Sequence, residues 1–199
     1  MEFFRKLKQY DIILASQSPR RRALMEAAGI PFRTMVKPTS EHFPEDLKPA
    51  EIVSYLCRAK ADCFNEELKQ PGVVLITADT IVVHGGEIIN KPSGAEEAFS
   101  MLSRLSGSTH EVYTGVCIRT QQKEIVFHDH SLVTFRALTE EEIRYYIAQY
   151  APWDKAGAYG IQEWIGYIGI ESIEGSYPNV MGMPVHKVYL RLADLLDHS

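Results

Sequence analysis

Three arginines, Arg20, Arg21 and Arg22, follow directly on Ser16-Gln17-Ser18-Pro19. Ser18 suits a helix N-cap and Pro19 the first helical position, so the arginines fall in the first turn. That end of a helix already carries partial positive charge and unpaired N–H groups, and acidic residues normally occupy it. Cations stacked there cost stability unless an anion sits above them, and the simplest anion is phosphate.

Further residues extend the same chemistry. Asp79 ends Val73-Val-Leu-Ile-Thr-Ala, the most apolar run in the chain. A carboxylate in that place is costly to desolvate without a cation beside it. Ligand sites in open α/β sheets gather at the carboxyl ends of strands. Lys91 precedes Pro92 and is therefore held in extended backbone. Lys60 lies beside the apolar stripe of a helix, where a lone lysine reads as snorkelling to solvent. Glu41 stands in a loop. Arginines and two lysines suit a polyphosphate. The acids Glu41 and Asp79 suit Mg²⁺ or Mn²⁺, which prefer carboxylate, phosphate and water oxygens. No Ser–His or Cys–His nucleophilic pair is evident, so water is the expected nucleophile, with a carboxylate to accept its proton. The Gly-rich lysine loop of P-loop enzymes is absent. Residues 153–162 are rich in Gly and Ala and end in Gln162, whose amide can both donate to and accept from a base edge.

Composition narrows the alternatives. The chain has 199 residues, 45% apolar and 24% charged, with a net charge of −5. That is ordinary for a globular protein, and the acidic balance argues against a nucleic-acid surface. The cysteines Cys57, Cys63 and Cys117 lack paired metal spacing and read as buried small hydrophobes of a reduced compartment. Residues 1–8 lack a signal-peptide apolar core, and no run is long enough to cross a bilayer, so a cytoplasmic location is expected. Base rates favour a homodimer.

The elements that must position these residues can be read from pattern. A strand over 11–16 feeds a helix over 19–28, stopped by Gly29. A second strand is expected over 31–36, a loop over 37–48 and one long amphipathic helix over 49–68. The apolar run from 73 continues as a strand to 83, of the kind covered on both faces. A helix follows to Leu105, with Ser93 as its cap, then two long strands over 111–120 and 124–135. Thr139-Glu-Glu-Glu142 is a capping box opening a helix to Gln149. A strand over 165–173, a turn at 175–179 and a helix over 184–196 complete the chain. Strands alternating with helices, then a meander, predict a mixed α/β sheet.

Leu14-Ala-Ser-Gln-Ser-Pro-Arg-Arg21, Ala78-Asp-Thr80, Lys91-Pro92, Met101-Leu-x-x-Leu-Ser-Gly107 with His110, Asp154-Lys-Ala-Gly-Ala-Tyr-Gly-Ile-Gln162 and Gly175-Ser-Tyr177 together resemble the Maf family, in the same order and over nearly the whole chain. The resemblance implies one α/β domain over 1–199, with residues 1–10 as an N-terminal extension. It also implies a mixed, bent β-sheet flanked by helices, in two lobes with a central cleft. The activity implied is hydrolysis of a nucleoside triphosphate to monophosphate and pyrophosphate with a divalent cation. The Ala-Asp-Thr and Tyr-Gly-Ile-Gln forms are similar to the branch acting on dTTP and UTP. By that resemblance Asp79 accepts the proton and shares the metal with Glu41. Arg20, Thr80 and Gln162 set specificity, and Ser16, Arg20, Arg21, Lys60 and Lys91 hold phosphate. The chain departs from the family's usual pattern at Asn90, where Gly commonly precedes Lys-Pro, and at Ser40-Glu41, where two acids are common. A non-catalytic nucleotide-binding regulator of cell division would use the same cradle, but binding alone does not require an acid at the strand end.

Overall fold

Seven strands form one sheet in the computed structural model, which describes residues 2–197. The strands are β1 (Asp11–Leu14), β2 (Arg33–Thr34), β3 (Val73–His84), β4 (Glu87–Ile89), β5 (Thr109–Arg119), β6 (Glu124–Phe135) and β7 (Ile170–Glu174). Their order is β2-β1-β3-β5-β6-β7, with β4 on β3. β1 runs parallel to β2 and β3, whereas the β3/β4 and β6/β7 pairs are antiparallel, so the sheet is mixed as the alternating pattern predicts. The helices are α1 (Glu2–Leu7), α2 (Pro19–Ala27), α3 (Pro49–Asp62), α4 (Asn65–Leu68), α5 (Ala95–Leu105), α6 (Glu140–Tyr150), α7 (Trp164–Gly169), α8 (Tyr177–Val180) and α9 (Val185–Asp197). None among the described residues is long and apolar enough to cross a membrane.

The chain divides into two compact units. The first holds the described residues up to Asp79, Thr114–Asp129, and those from Gly182 onward. There the alternation of β1 and β3 sends side chains to two separate cores. Ile12, Leu14, Val74 and Ile76 pack with Met25 of α2 and with Val188, Leu192 and Leu195 of α9. Ile13, Val73 and Leu75 pack with Cys57 and Ala61 of α3. The apolar run of β3 is therefore covered on both faces. Helix α3 approaches the sheet at backbone contact, since a Cβ added at Gly115 of β5 would lie 2.3 Å from the Val53 carbonyl oxygen. Leu7 of α1 is fully buried in the first of these cores. The second unit, Thr80–Tyr113 with His130–Met181, has its own core around Leu102, Leu105, Ile143 and Tyr146.

Local chemistry sets the element ends. Ser18 caps α2, its Oγ accepting from Arg21 N at 3.4 Å, and Thr139 with Glu142 forms the expected capping box of α6. The single helix expected over 49–68 is instead broken at Cys63-Phe64. Phe64 leaves helical geometry to bury its ring, and Lys37 Nζ takes up the released Cys63 carbonyl at 2.9 Å. Cys63 is exposed by that break, whereas Cys57 and Cys117 are buried as expected. The strand expected over 165–173 begins only at Ile170. Residues Trp164–Gly169 form α7, in which Gly166 lets the helix abut the Ile161 carbonyl, 1.9 Å from where a Cβ would sit. The expected turn at 175–179 contains the short helix α8, capped by Ser176. The expected strand over 31–36 shrinks to Arg33–Thr34, and the cap of α5 is Gly94, with Ser93 bonded instead to Glu97.

Candidate active site

Strand β1 delivers the chain to Ser16, which is buried; its Oγ accepts from Ser18 N at 3.2 Å and shapes the turn into α2. Arg21 then reaches away from its own helix. Its Nε donates to the Gly182 carbonyl at 2.8 Å and its Nη1 to the Ala78 carbonyl, also at 2.8 Å. The guanidinium thus lies against the residue preceding Asp79. Burial pulls its pKa below the ordinary arginine value; Asp79 opposes that shift, Arg20 adds to it, and Glu41 opposes it more weakly. Arg20 is half-buried and Arg22 exposed, so the three arginines of the first turn face different surroundings.

Asp79 is the last residue of the first of the three segments that make up the first unit. Its carboxylate accepts directly from Lys60 Nζ of α3, and only 13% of the Asp79 side chain and 15% of the Lys60 side chain is exposed. The cation that the burial of Asp79 demands is therefore Lys60, with Arg21 close by. Helical spacing gives Lys60 no such partner: beside Ala59 and Ala61 it has the pattern of a snorkelling lysine. The contact arises because α3 lies at backbone distance over β5. Glu41 is exposed in the loop after β2, within electrostatic reach of Arg21.

Three of the sequence-derived residues belong to the second unit. Thr80 continues β3 and is half-buried, Lys91 is exposed just after β4, and Gln162 is half-buried with its Oε1 sealed from solvent and unbonded among the described residues. The segment leading to Gln162 needs special backbone: Gly157 and Ala158 both have positive φ, 72° and 58°. Sequence reasoning missed the polar group behind it, in which Lys155, Glu163 and Tyr146 meet below the surface. An Asp-Lys pair in a Gly-rich loop gives the pattern of a solvated turn, and the only available signal was a tyrosine on the apolar stripe of α6.

The arrangement in the first unit suits an anion of high charge next to a carboxylate that can take a proton. Among the described residues no group of three His, Cys, Asp or Glu side chains is gathered to cage a metal.

A family model described as Maf-like protein matches residues 11–195. This chain belongs to the Maf-like family. Its relatives within that family include a dTTP/UTP pyrophosphatase of Bacteroides thetaiotaomicron, 51% identical over 190 residues, covering 95% of this chain and 98% of the relative. A protein of the same name from Flavobacterium johnsoniae is 47% identical over 191 residues, covering 96% and 98%. One from Porphyromonas gingivalis is 50% identical over 190 residues, covering 94% and 96%. The mixed α/β sheet with flanking helices is consistent with Maf membership.

Proposed function

We propose that this protein hydrolyses dTTP and UTP to the nucleoside monophosphate and pyrophosphate, clearing these or modified pyrimidine triphosphates from the nucleotide pool. The observation that carries the reading is Asp79, placed at the end of its apolar stretch against Lys60 and beside Arg21, in a Maf-like chain about half identical to proteins named dTTP/UTP pyrophosphatases. Water attacks the α-phosphorus. The bond to the α–β bridging oxygen breaks, and that oxygen leaves with pyrophosphate. Asp79 accepts the proton of the attacking water. Arg21, Lys60, Arg20, Lys91 and the Ser16 hydroxyl hold the phosphate chain and offset the charge that gathers on it in the transition state. Thr80, Gln162 and Arg20 select the nucleotide.

Asp79 and Glu41 are the carboxylates that would hold a hard divalent ion, whose preferred ligands are carboxylate, phosphate and water oxygens. When bound there, Mg²⁺ or Mn²⁺ supplies charge neutralisation on the phosphates and a more acidic water.

The test is a panel of UTP, dTTP, CTP, ATP and GTP with Mg²⁺ or Mn²⁺, run in ¹⁸O-labelled water with products identified by mass. UMP or dTMP bearing the label, together with unlabelled pyrophosphate, is the expected outcome. Release of orthophosphate, label in pyrophosphate, or no turnover across the panel overturns the reading.

A further inference from the structure

The turn that presents Gln162 is braced from beneath by charged and phenolic groups that no catalytic step uses. Glu163 N donates to the Gly160 carbonyl at 3.0 Å, closing a turn over residues 160–163. Tyr146 of α6 is fully buried and its hydroxyl serves both sides of that turn. It accepts from Gly160 N at 3.0 Å and donates to Glu163 Oε2. The other carboxylate oxygen, Oε1, lies 3.2 Å from Lys155 Nζ, and the Lys155 side chain is only 8% exposed. Lys155 Nζ also donates to Asp154 Oδ1 at 2.8 Å.

Gln162 sits inside this frame. A Cβ at Gly160 would fall 2.7 Å from Glu163 Cδ and 3.0 Å from Gln162 Nε2, so the carboxylate and the Gln162 amide each lie against the Gly160 α-carbon. The Gln162 Oε1 is buried with no hydrogen-bond partner among the described residues. An orphaned, buried carbonyl oxygen carries a desolvation cost that an incoming N–H donor removes. Uracil and thymine offer such a donor at N3, whereas cytosine presents an acceptor at the same ring position. A fixed acceptor rejects the wrong base because both groups are then left unpaired. A freely rotating amide would simply turn over and donate its NH₂ instead.

We infer that Tyr146, Glu163 and Lys155 are positioning residues for base selection, holding the turn that carries the Gln162 amide. This rests on the reading of Gln162 as a nucleotide-selecting residue. Lys155 neutralises the half-buried Glu163 carboxylate, Glu163 orients the phenol, and the phenol pins the Gly160 backbone.

The test compares kcat/KM for UTP and CTP in the wild type, Gln162→Ala, Tyr146→Phe and Glu163→Gln, with thermal melts confirming that each variant is folded at the assay temperature. Tyr146→Phe removes one oxygen and Glu163→Gln keeps the shape, so at least one is expected to fold. The expected result is a fall of about tenfold in the UTP/CTP ratio for both positioning variants, arising partly from improved use of CTP. A merely structural role lowers both substrates together. If Gln162→Ala moves the ratio and neither positioning variant does, the present inference fails while the role of Gln162 stands. If Gln162→Ala leaves the ratio unchanged, the role of Gln162 fails first and this inference falls with it.

Discussion

Asp79 and Lys60 stand as a pair of opposite charges with little access to water. Placing two such groups together costs desolvation on both, and removing either leaves the other uncompensated. In the proposed reaction the two act as a unit, one on the water proton and one on the phosphate. Asp79→Asn is therefore expected to lower kcat by about 10³-fold, and Lys60→Met to lower kcat/KM by about 10²-fold. Groups that act together give non-additive losses. The double variant, assayed for pyrophosphate release, should be hardly worse than Asp79→Asn alone; a full product of the two single losses would separate Lys60 from Asp79. Sequence reading reached Asp79 through the cost of a carboxylate closing an apolar run, although Asp79 does not end the strand: β3 continues five residues beyond it to His84. It did not reach its partner, because the stripe of α3 gives Lys60 the pattern of a lysine bound for solvent. Lys155 stayed hidden for the converse reason: its neighbours in sequence are polar or small, yet the fold folds it under.

Helix α3 owes its position to the absence of a side chain. Gly115 admits the Val53 carbonyl to a place that a Cβ would occupy, and the obstructing atoms are backbone, which cannot swing aside. Gly115→Ala is expected to destabilise the protein by about 3 kcal/mol, a drop in Tm of roughly 6–12 °C. Val53 and Lys60 lie two turns apart on one face of the helix. The same variant should thus raise KM for UTP even at temperatures where it remains folded. A variant with normal melting and normal kinetics would show that α3 is not held there. The elements with strong periodicity or clear caps, namely β1, α2, β3, α5, β5, β6, α6 and α9, were legible to within a residue or two. The misses share a physical cause. Breaking α3 from α4 depends on burying Phe64, and turning 164–169 into a helix depends on Gly166 meeting Ile161; both are tertiary contacts that no local pattern records.

At the scale of the molecule, stability should depend on acid through His110. Its ring is buried, Nε2 lies 2.8 Å from the Tyr159 hydroxyl, and Nδ1 has no partner among the described residues. Burial, with a smaller contribution from His84, pushes its pKa down from 6.5 to about 3. The unfolded chain therefore binds a proton that the folded chain refuses between these values. Its contribution to stability is complete above pH 6.5 and is lost as pH falls toward 3, by about 1.4 kcal/mol per pH unit within that window. Denaturant unfolding of the wild type and of His110→Gln, measured at pH 7.5 and 5, should show the smaller pH dependence in the variant. Equal slopes would remove His110 from the account.

Neither unit is a continuous stretch of chain, and the first is completed by residues far downstream of Arg21 and Asp79. Arg21 is anchored on the Gly182 carbonyl, and the core beneath β1 and β3 is closed by Val188, Leu192 and Leu195 of α9. During synthesis, the arginine and the aspartate emerge from the ribosome long before their anchor does. A nascent or prematurely terminated chain accordingly lacks the clasp that sets Arg21 in place until translation has passed Gly182 and α9.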